Sequence, residues 1–170
     1  MTNLYSLPNA AATDALGRCL ARQLVPGLVI YLHGDLGAGK TALTRALIHA
    51  AGYAGHVKSP TYTLAEPYDV FLVNQKVMIM HFDLYRMASP DEFLEAGFRE
   101  VFNQSTICIV EWPEHGENIL PPPDLDIFLT VAGTGRHVEL QALSDKGNAC
   151  LSQLNFNSTL LPICETQKKR

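Results

Sequence analysis

Apolar positions in the first third of the chain alternate between strand-like runs and helix-like spacing. Leu4–Leu7 is a short apolar run typical of an edge strand, and Leu28–Leu32 is continuous enough for a strand buried on both faces. Between them, apolar residues recur at four-residue spacing at Ala12, Leu16, Leu20 and Leu24. This spacing predicts an amphipathic helix that ends at Pro26-Gly27. A second helix is predicted over Thr41–Ala51.

Later in the chain the strand-like segments lie closer together. Tyr62–Tyr68 and Val77–Phe82 are predicted strands, Thr106–Val110 is another buried apolar strand, and Ile127–Ala132 with His137–Leu143 are predicted to form a hairpin. Strands that first alternate with helices and then gather together are typical of an α/β fold. We therefore predict a P-loop NTPase-like fold of three layers, with a mostly parallel central sheet and antiparallel edge strands.

Two further features concern local structure and domain limits. Ser89, Pro90 and Glu92 predict a helix start in which Ser89 is the N-cap and Glu92 closes a capping box. Beyond residue 143 the hydrophobic periodicity is weak. We predict one domain over residues 1–143 and a C-terminal extension of unknown role over residues 144–170, with Lys168–Arg170 as a mobile tail.

Composition limits the classes of function that this chain can have. It has 170 residues, 47% of them hydrophobic and 18% charged, which fits one compact domain. The net charge of -4 leaves no broad basic field, which argues against unaided tight binding to a nucleic acid backbone. A protein that acts on RNA only through a partner remains compatible with this charge.

The cysteines and the N-terminus bear on the cellular compartment. Cys19, Cys108, Cys150 and Cys164 have neither metal-ligand nor C-x-x-C spacing, which favours a reducing compartment. Met1–Ala10 lacks the basic start and apolar stretch of a signal peptide. No apolar run approaches the roughly 20 residues of a membrane span. We expect a cytoplasmic protein without a membrane partner.

The strongest chemical motif follows the Leu28–Leu32 strand and fits the pattern G-x-x-x-x-G-K-[ST]. Its glycines let successive backbone N–H groups turn toward a phosphate. Lys40 is expected to reach the β- and γ-phosphates, and Thr41 to offer its hydroxyl to Mg²⁺. The predicted ATP-binding residues of this loop are Asp35, Leu36, Gly37, Ala38, Gly39, Lys40 and Thr41. The alternative, a glycine turn that only joins a strand to a helix, is disfavoured by the strand before it and the helix after it.

Two carboxylates stand at the ends of predicted strands. Asp83 ends the run from Val77, and Glu111 ends the run from Thr106. Ligands in open α/β sheets bind beyond the carboxyl ends of strands, so both residues are candidates for the Mg²⁺ site and for orienting the attacking water. The sequence leaves open which of them holds the metal. Asp83 as a turn cap and Glu111 as a surface carboxylate are the alternatives.

Weaker candidates surround these motifs. Thr61 follows Ser59-Pro60 and has the position of a switch residue that senses the γ-phosphate, although an ordinary proline turn is the favoured interpretation from these residues alone. Trp112, the only tryptophan, could stack on a base or pack in the core. Arg86 and Arg99 are candidates for phosphate or partner contacts. His81 and His33 are expected to be structural residues.

Several segments occur together in an order that resembles the bacterial TsaE family (formerly YjeE). They are Gly34–Thr41, Ser59-Pro60-Thr61-Tyr62, His81-Phe82-Asp83-Leu84-Tyr85-Arg86 and Val110-Glu111-Trp112-Pro113-Glu114. The resemblance covers roughly Leu7–Leu140. Ala42 departs from it, because the family often has a second Thr at this position.

The resemblance implies a Mg²⁺-dependent ATPase needed to make threonylcarbamoyladenosine in tRNA. It implies that the protein joins a TsaB–TsaD-like complex, meets tRNA only indirectly and is not itself the transferase. It also implies that Lys40 and Thr41 hold phosphate and Mg²⁺, and that Asp83 belongs to the metal site. By the same resemblance, Glu111 and Trp112 support hydrolysis near the nucleotide.

Three other functions compete with this one. A small-molecule kinase would need a basic lid, and no Arg-rich lid segment is found. A guanine-specific GTPase would carry an [NT]-K-x-D motif, which this chain lacks. A nucleotide-gated binding module with negligible turnover stays open, and phosphate release with and without partner proteins would distinguish it from an ATPase.

Overall fold

The computed structural model describes residues 1–154 and 161–162. The strands are β1 Thr2–Leu7, β2 Val29–His33, β3 Ala65–Leu72, β4 Gln75–Asp83, β5 Thr106–Glu111, β6 Leu125–Ala132, β7 Gly135–Ala142 and β8 Leu161–Pro162. The helices are α1 Ala10–Ala21, α2 Lys40–Ala50, α3 Pro90–Glu95 and α4 Asp145–Ser152, and 3₁₀ turns cover Phe98–Val101 and Pro113–Gly116.

All these strands form one sheet in the order β3-β4-β5-β2-β6-β7-β1-β8. The four central strands, β4, β5, β2 and β6, are parallel to one another. Both edges are antiparallel, with the β3–β4 hairpin on one side and β7, β1 and β8 on the other. The predicted α/β class, with its parallel centre and antiparallel edges, is confirmed.

The sheet separates two apolar cores, which makes the domain three-layered. On one face α1 and α2 cover a large core that includes Leu16, Leu47 and Ile109. On the other face α3 and the first 3₁₀ turn cover a smaller aromatic core around Phe82 and Phe93. Central strands buried on both faces need the continuous apolar runs that the sequence contains.

The strand register brings the predicted site residues to one end of the sheet. Asp83 and Glu111 are paired positions on β4 and β5, and Glu111 is paired with Leu32 on β2. Since β2 leads directly into the glycine-rich loop, the two carboxylates and the loop share the carboxyl end of the parallel strands. This is the edge where open α/β sheets bind ligands.

Two local predictions were wrong in detail. Strand β3 begins at Ala65 rather than Tyr62, because Leu64 adopts a left-handed conformation (φ 65°) and its carbonyl accepts the N–H of Asp83. Ser89 is the N-cap of α3, but within the described chain its side chain bonds no helical N–H, and Glu92 accepts the N–H of Ala88. The capping box is therefore incomplete.

The C-terminal extension begins with a helix that packs on the sheet. Ser144 caps α4 by accepting the N–H of Gly147, and Cys150 and Leu151 are buried against the larger core. Gly147 lies so close to Asp124 that an added Cβ would stand 1.9 Å from its carbonyl oxygen. The domain limit at residue 143 stays a prediction, and the tail Lys168–Arg170 lies outside the described residues. No described helix is long and apolar enough to cross a membrane.

Candidate functional site

The glycine-rich loop passes from β2 into the first turn of α2. Gly34 has a φ of 146°, and a Cβ there would lie 2.5 Å from the carbonyl oxygen of Leu129 on β6. Gly39 is the N-cap of α2 with a φ of 105°. A side chain would clash at the first position and strain the backbone at the second. The loop thus leads directly to the N-terminus of α2, whose free N–H groups and helix dipole suit an anion.

Lys40 is held inside this loop although its side chain is charged. Its residue exposure is 5%, and its Nζ donates to the carbonyl oxygens of Gly34 and Asp35. The same Nζ lies 4.1 Å from the centroid of the Trp112 ring. Burial lowers the pKa of Lys40, and the neighbouring carboxylates, Glu111 first, partly oppose this shift. A buried cation with carbonyl partners is well placed to receive phosphate oxygens.

Glu111 and Thr41 meet across the site. The Thr41 Oγ1 donates to Glu111 Oε1 and Oε2 at 3.0 and 3.2 Å. Glu111 is 2% exposed, and its Oε1 also lies 2.8 Å from Nε2 of His81. The Thr41 hydroxyl and one of the two candidate Mg²⁺ carboxylates are thus direct neighbours.

Asp83 faces a different partner, the loop that contains Thr61. Its Oδ2 accepts the Thr61 hydroxyl at 3.3 Å, and its Oδ1 accepts the N–H of Tyr85 at 3.0 Å. Ser59 Oγ lies 2.7 Å from Thr61 Oγ1, which extends the chain of hydrogen bonds into the loop. Burial raises the pKa of Asp83, while the Tyr85 N–H acts in the opposite direction. Thr61 is therefore connected to a strand-end carboxylate, as a residue that responds to a ligand would need to be.

A cavity of about 490 Å³ lies over these groups. Its lining consists of residues 36–42 together with Ser59, Thr61, Asp83, Tyr85, Arg86, Glu111 and Trp112. Asp35 is the predicted loop residue that does not line it; the Asp35 side chain is exposed and borders a separate cavity beside Phe128. Arg86 lines the main cavity, with its guanidinium 4.9 Å from the Tyr62 ring centroid. Arg99 lies on the exposed 3₁₀ turn outside this lining.

Trp112 is held in an unusual backbone conformation at the wall of the cavity. Its φ and ψ are 57° and 50°, in the left-handed region that bulky residues rarely adopt. Its ring packs against Tyr85 and His115, with centroids 4.9 and 5.7 Å away. Such strain persists where the surroundings fix it, and here it places the indole beside the Lys40 ammonium.

Arg136, for which the sequence gives no indication, contacts the loop from β7. Its guanidinium donates to the carbonyl oxygens of Ala38 and Gly37 at 2.9 and 3.0 Å. Arg136 also borders a second cavity of about 250 Å³, whose lining includes Asn9 and Thr13. Both cavities are lined by Gly39 and Ala42, so they adjoin at the start of α2. An arginine in a predicted hairpin carries no sequence signal for this contact.

The oxygen donors of this site suit Mg²⁺, which needs few protein ligands, better than a metal ion whose ligands all come from the protein. Within residues 1–154 and 161–162, no group of three or more His, Cys, Asp or Glu residues is arranged to hold a metal ion. The Thr41 hydroxyl and the carboxylates of Glu111 and Asp83 are hard oxygen donors at the phosphate loop. Mg²⁺ typically takes one or two carboxylates and completes its shell with phosphate oxygens and water.

Comparison with known proteins gives a consistent family relationship. A family model described as threonylcarbamoyl adenosine biosynthesis protein TsaE matches residues 7–138. The tRNA threonylcarbamoyladenosine biosynthesis protein TsaE of Haemophilus influenzae is 45% identical over 125 residues, which are 74% of this chain and 77% of the relative. The protein of the same name in Bacillus subtilis is 34% identical over 154 residues, or 89% and 93% of the two chains.

A solved structure resembles the whole described fold. The crystal structure of Bacillus subtilis YdiB matches with a TM-score of 0.70 at 27% sequence identity. The match covers 91% of this chain and 94% of the YdiB chain.

Proposed function

The chain belongs to the TsaE family of tRNA threonylcarbamoyladenosine biosynthesis proteins, and we propose that its part in that process is to bind and hydrolyse ATP with Mg²⁺. The observation that carries this proposal is the meeting of three groups at the phosphate loop. Lys40 is buried among loop carbonyls, and the Thr41 hydroxyl bonds Glu111. This combination supplies a cation for phosphate and oxygen donors for a divalent metal.

The two carboxylates have separate tasks in this proposal. Glu111 and Thr41 would be the direct Mg²⁺ ligands, because the Thr41 hydroxyl oxygen and a Glu111 carboxylate oxygen lie 3.0 Å apart and could face one ion. Asp83 would act on the outer waters of the metal and on the Thr61 loop, to which it is hydrogen-bonded. Bound Mg²⁺ neutralises charge that develops on the β- and γ-phosphates. Residues of the chain then position the nucleotide and the attacking water.

The second cavity, beside Arg136, is the proposed place for the base and sugar. It adjoins the phosphate cavity along Gly39 and Ala42, and Asn9, Thr13 and Asp14 give its lining polar atoms for hydrogen bonding. A nucleotide that fills both cavities would run across the first turn of α2. The triphosphate would then end between Lys40 and Glu111.

Hydrolysis by this chain alone is proposed to be slow. Arg86 is the arginine that lines the phosphate cavity, and its guanidinium is stacked on the exposed ring of Tyr62. A cation supplied by another protein can accelerate phosphoryl transfer by about 10³–10⁵-fold in systems that use one. We therefore propose that a TsaB–TsaD-like complex is the partner that completes the site, and that tRNA is met only through this complex.

Trp112 provides a direct test of ATP binding. Phosphate that draws the Lys40 ammonium away from the indole should change the emission of the sole tryptophan, since the two groups are 4.1 Å apart. We expect ATP and ADP to change the emission excited at 295 nm, while adenosine, which lacks phosphates, leaves it unchanged. If calorimetry detects ATP binding and the emission stays flat, the ligand does not reach Lys40.

Asp83→Asn tests the metal role of the second carboxylate. The amide keeps an acceptor for the Tyr85 N–H but loses the negative charge. We expect the Mg²⁺ concentration for half-maximal phosphate release to rise about tenfold, as for loss of a group in the outer shell of a metal. Asp69→Asn, an exposed change on β3, is the matched control. A Mg²⁺ dependence equal to that of the parent would remove Asp83 from the metal site.

A further inference from the structure

One buried polar residue near the site has no part in the mechanism proposed above. His81 lies on β4, two residues before Asp83, and is 0% exposed. The preceding residues on the same face of the strand, Ile79 and Val77, are apolar core residues. An imidazole in this position must have a polar partner, because an unsatisfied buried nitrogen costs free energy.

The two ring nitrogens of His81 have very different surroundings. Nε2 lies 2.8 Å from Oε1 of Glu111. Nδ1 is the one buried side-chain nitrogen or oxygen atom of the described residues that has no hydrogen-bond partner. The fold therefore gains a polar contact from Nε2 and none from Nδ1. Because a carboxylate only accepts hydrogen bonds, this arrangement assigns a proton to Nε2.

From this geometry we propose that His81 is a positioning residue that fixes the carboxylate of Glu111 for Mg²⁺ and water. The proposal rests on the proposed ATPase function. Strand pairing fixes only the backbone of Glu111, and its side chain has three rotatable bonds. The His81 N–H holds Oε1 at the far end, beside the Thr41 hydroxyl. Oε2 then keeps its place at the same hydroxyl, 3.2 Å away.

This contact resembles the hydrogen bonds by which neighbouring residues orient the ligands of metal sites. A carboxylate that binds a metal or a water is more effective when a second group fixes its rotation. His81 is suited to this because its ring is rigid and fully buried. An exposed donor would exchange with water and would hold Glu111 less firmly.

The test compares His81→Leu with His81→Gln in the full-length chain. Leucine removes the donor, whereas the glutamine amide places an N–H where the imidazole Nε2 stands. We expect His81→Leu to raise the Mg²⁺ concentration for half-maximal phosphate release at least about tenfold, the range seen when such supports are lost. The ATP affinity of His81→Leu in EDTA should stay within about twofold of the parent's, because the lost contact acts on the metal site. In His81→Gln, the Mg²⁺ concentration for half-maximal phosphate release should return close to that of the parent.

His33 offers a matched control, because it is also a histidine bonded to a carboxylate at a strand end. Its Nε2 lies 2.7 Å from Asp126, and His33 lines a separate cavity and not the phosphate cavity. We expect His33→Leu to keep the Mg²⁺ dependence of the parent. If His81→Leu keeps the parent's thermal stability and the same Mg²⁺ dependence, His81 is only a core residue and the proposal fails.

A second measurement does not depend on activity. In ¹⁵N spectra of the histidine rings, the signal that His81→Gln removes should carry its proton on Nε2. Glu111→Ala should shift this signal, while Glu117→Ala, an exposed change nearby, should not. An Nε2 without a proton, or a signal insensitive to Glu111, overturns the proposal even if His81→Leu does not fold. Absence of ATP binding by the parent would instead contradict the proposed function and leave this spectrum interpretable.

Discussion

Lys40→Ala is expected to reduce ATP affinity by about a hundredfold or more. The lysine is the cation of the loop, and two charge-assisted contacts to phosphate are worth about 1.5 kcal/mol each or more. Its ammonium is bonded to the carbonyls of Gly34 and Asp35, and it would exchange these contacts for phosphate oxygens. Isothermal calorimetry with ATP and with ADP measures the effect.

The folded state should survive this substitution. Burial lowers the pKa of Lys40, because burying the charged ammonium costs free energy of folding. Alanine removes this cost. The melting temperature should therefore stay near that of the parent. Lys76→Ala on β4, where the side chain is 63% exposed, is the matched control and should bind ATP normally. Unchanged ATP affinity in folded Lys40→Ala would refute the phosphate-site assignment.

Glu111→Ala is expected to separate nucleotide binding from turnover. The loop amides and Lys40 remain, so ATP affinity should stay within about fivefold of the parent. Phosphate release should fall about a hundredfold or more, because a group that acts on charge in the transition state is lost. Capture of a TsaB–TsaD-like complex in the presence of ATP should persist. Phosphate release and capture are measured on the same preparation.

The outcomes of the Glu111→Ala experiment also distinguish the remaining alternative function. If the parent releases no phosphate even with its partners, the protein is a nucleotide-gated binding module. Normal turnover by Glu111→Ala would exclude Glu111 from the reaction. Loss of capture with intact ATP binding would make Glu111 part of the partner surface. Glu117→Ala, exposed beyond the second 3₁₀ turn, is the control for loss of charge.

The position of the glycine-rich loop between β2 and α2 could be predicted because its information is local. The glycines, Lys40 and Thr41 are adjacent in sequence, and the strand before them and the helix after them are clear. Asp83 and Glu111 could be placed at one edge because each ends an apolar strand, and parallel strands end together. Their different partners, Thr61 and Thr41, depend on side-chain directions that strand patterns do not contain.

Features that depend on distant contacts escaped prediction. His81 bonds Glu111 from the neighbouring strand, and Arg136 bonds the loop from β7. No sequence motif or spacing indicates either of these contacts. Helix α4 was missed because its eight residues have few apolar positions, and Gly147 lowers their helix propensity. Its stability comes from the Ser144 cap and from packing on the sheet, which are properties of the folded domain.

The order of strands in the sheet has a consequence for how the chain acquires its structure during synthesis. Strand β2 carries the phosphate loop, yet Val29 pairs with Cys108 and Ile30 pairs with Leu125. Both neighbours leave the ribosome long after β2, and at about 5–20 residues per second the delay lasts several seconds. During this interval an apolar strand lacks its partners, which is a period of aggregation risk for a nascent chain. The proposed nucleotide site, although its loop is encoded early, is therefore completed among the last parts of the protein.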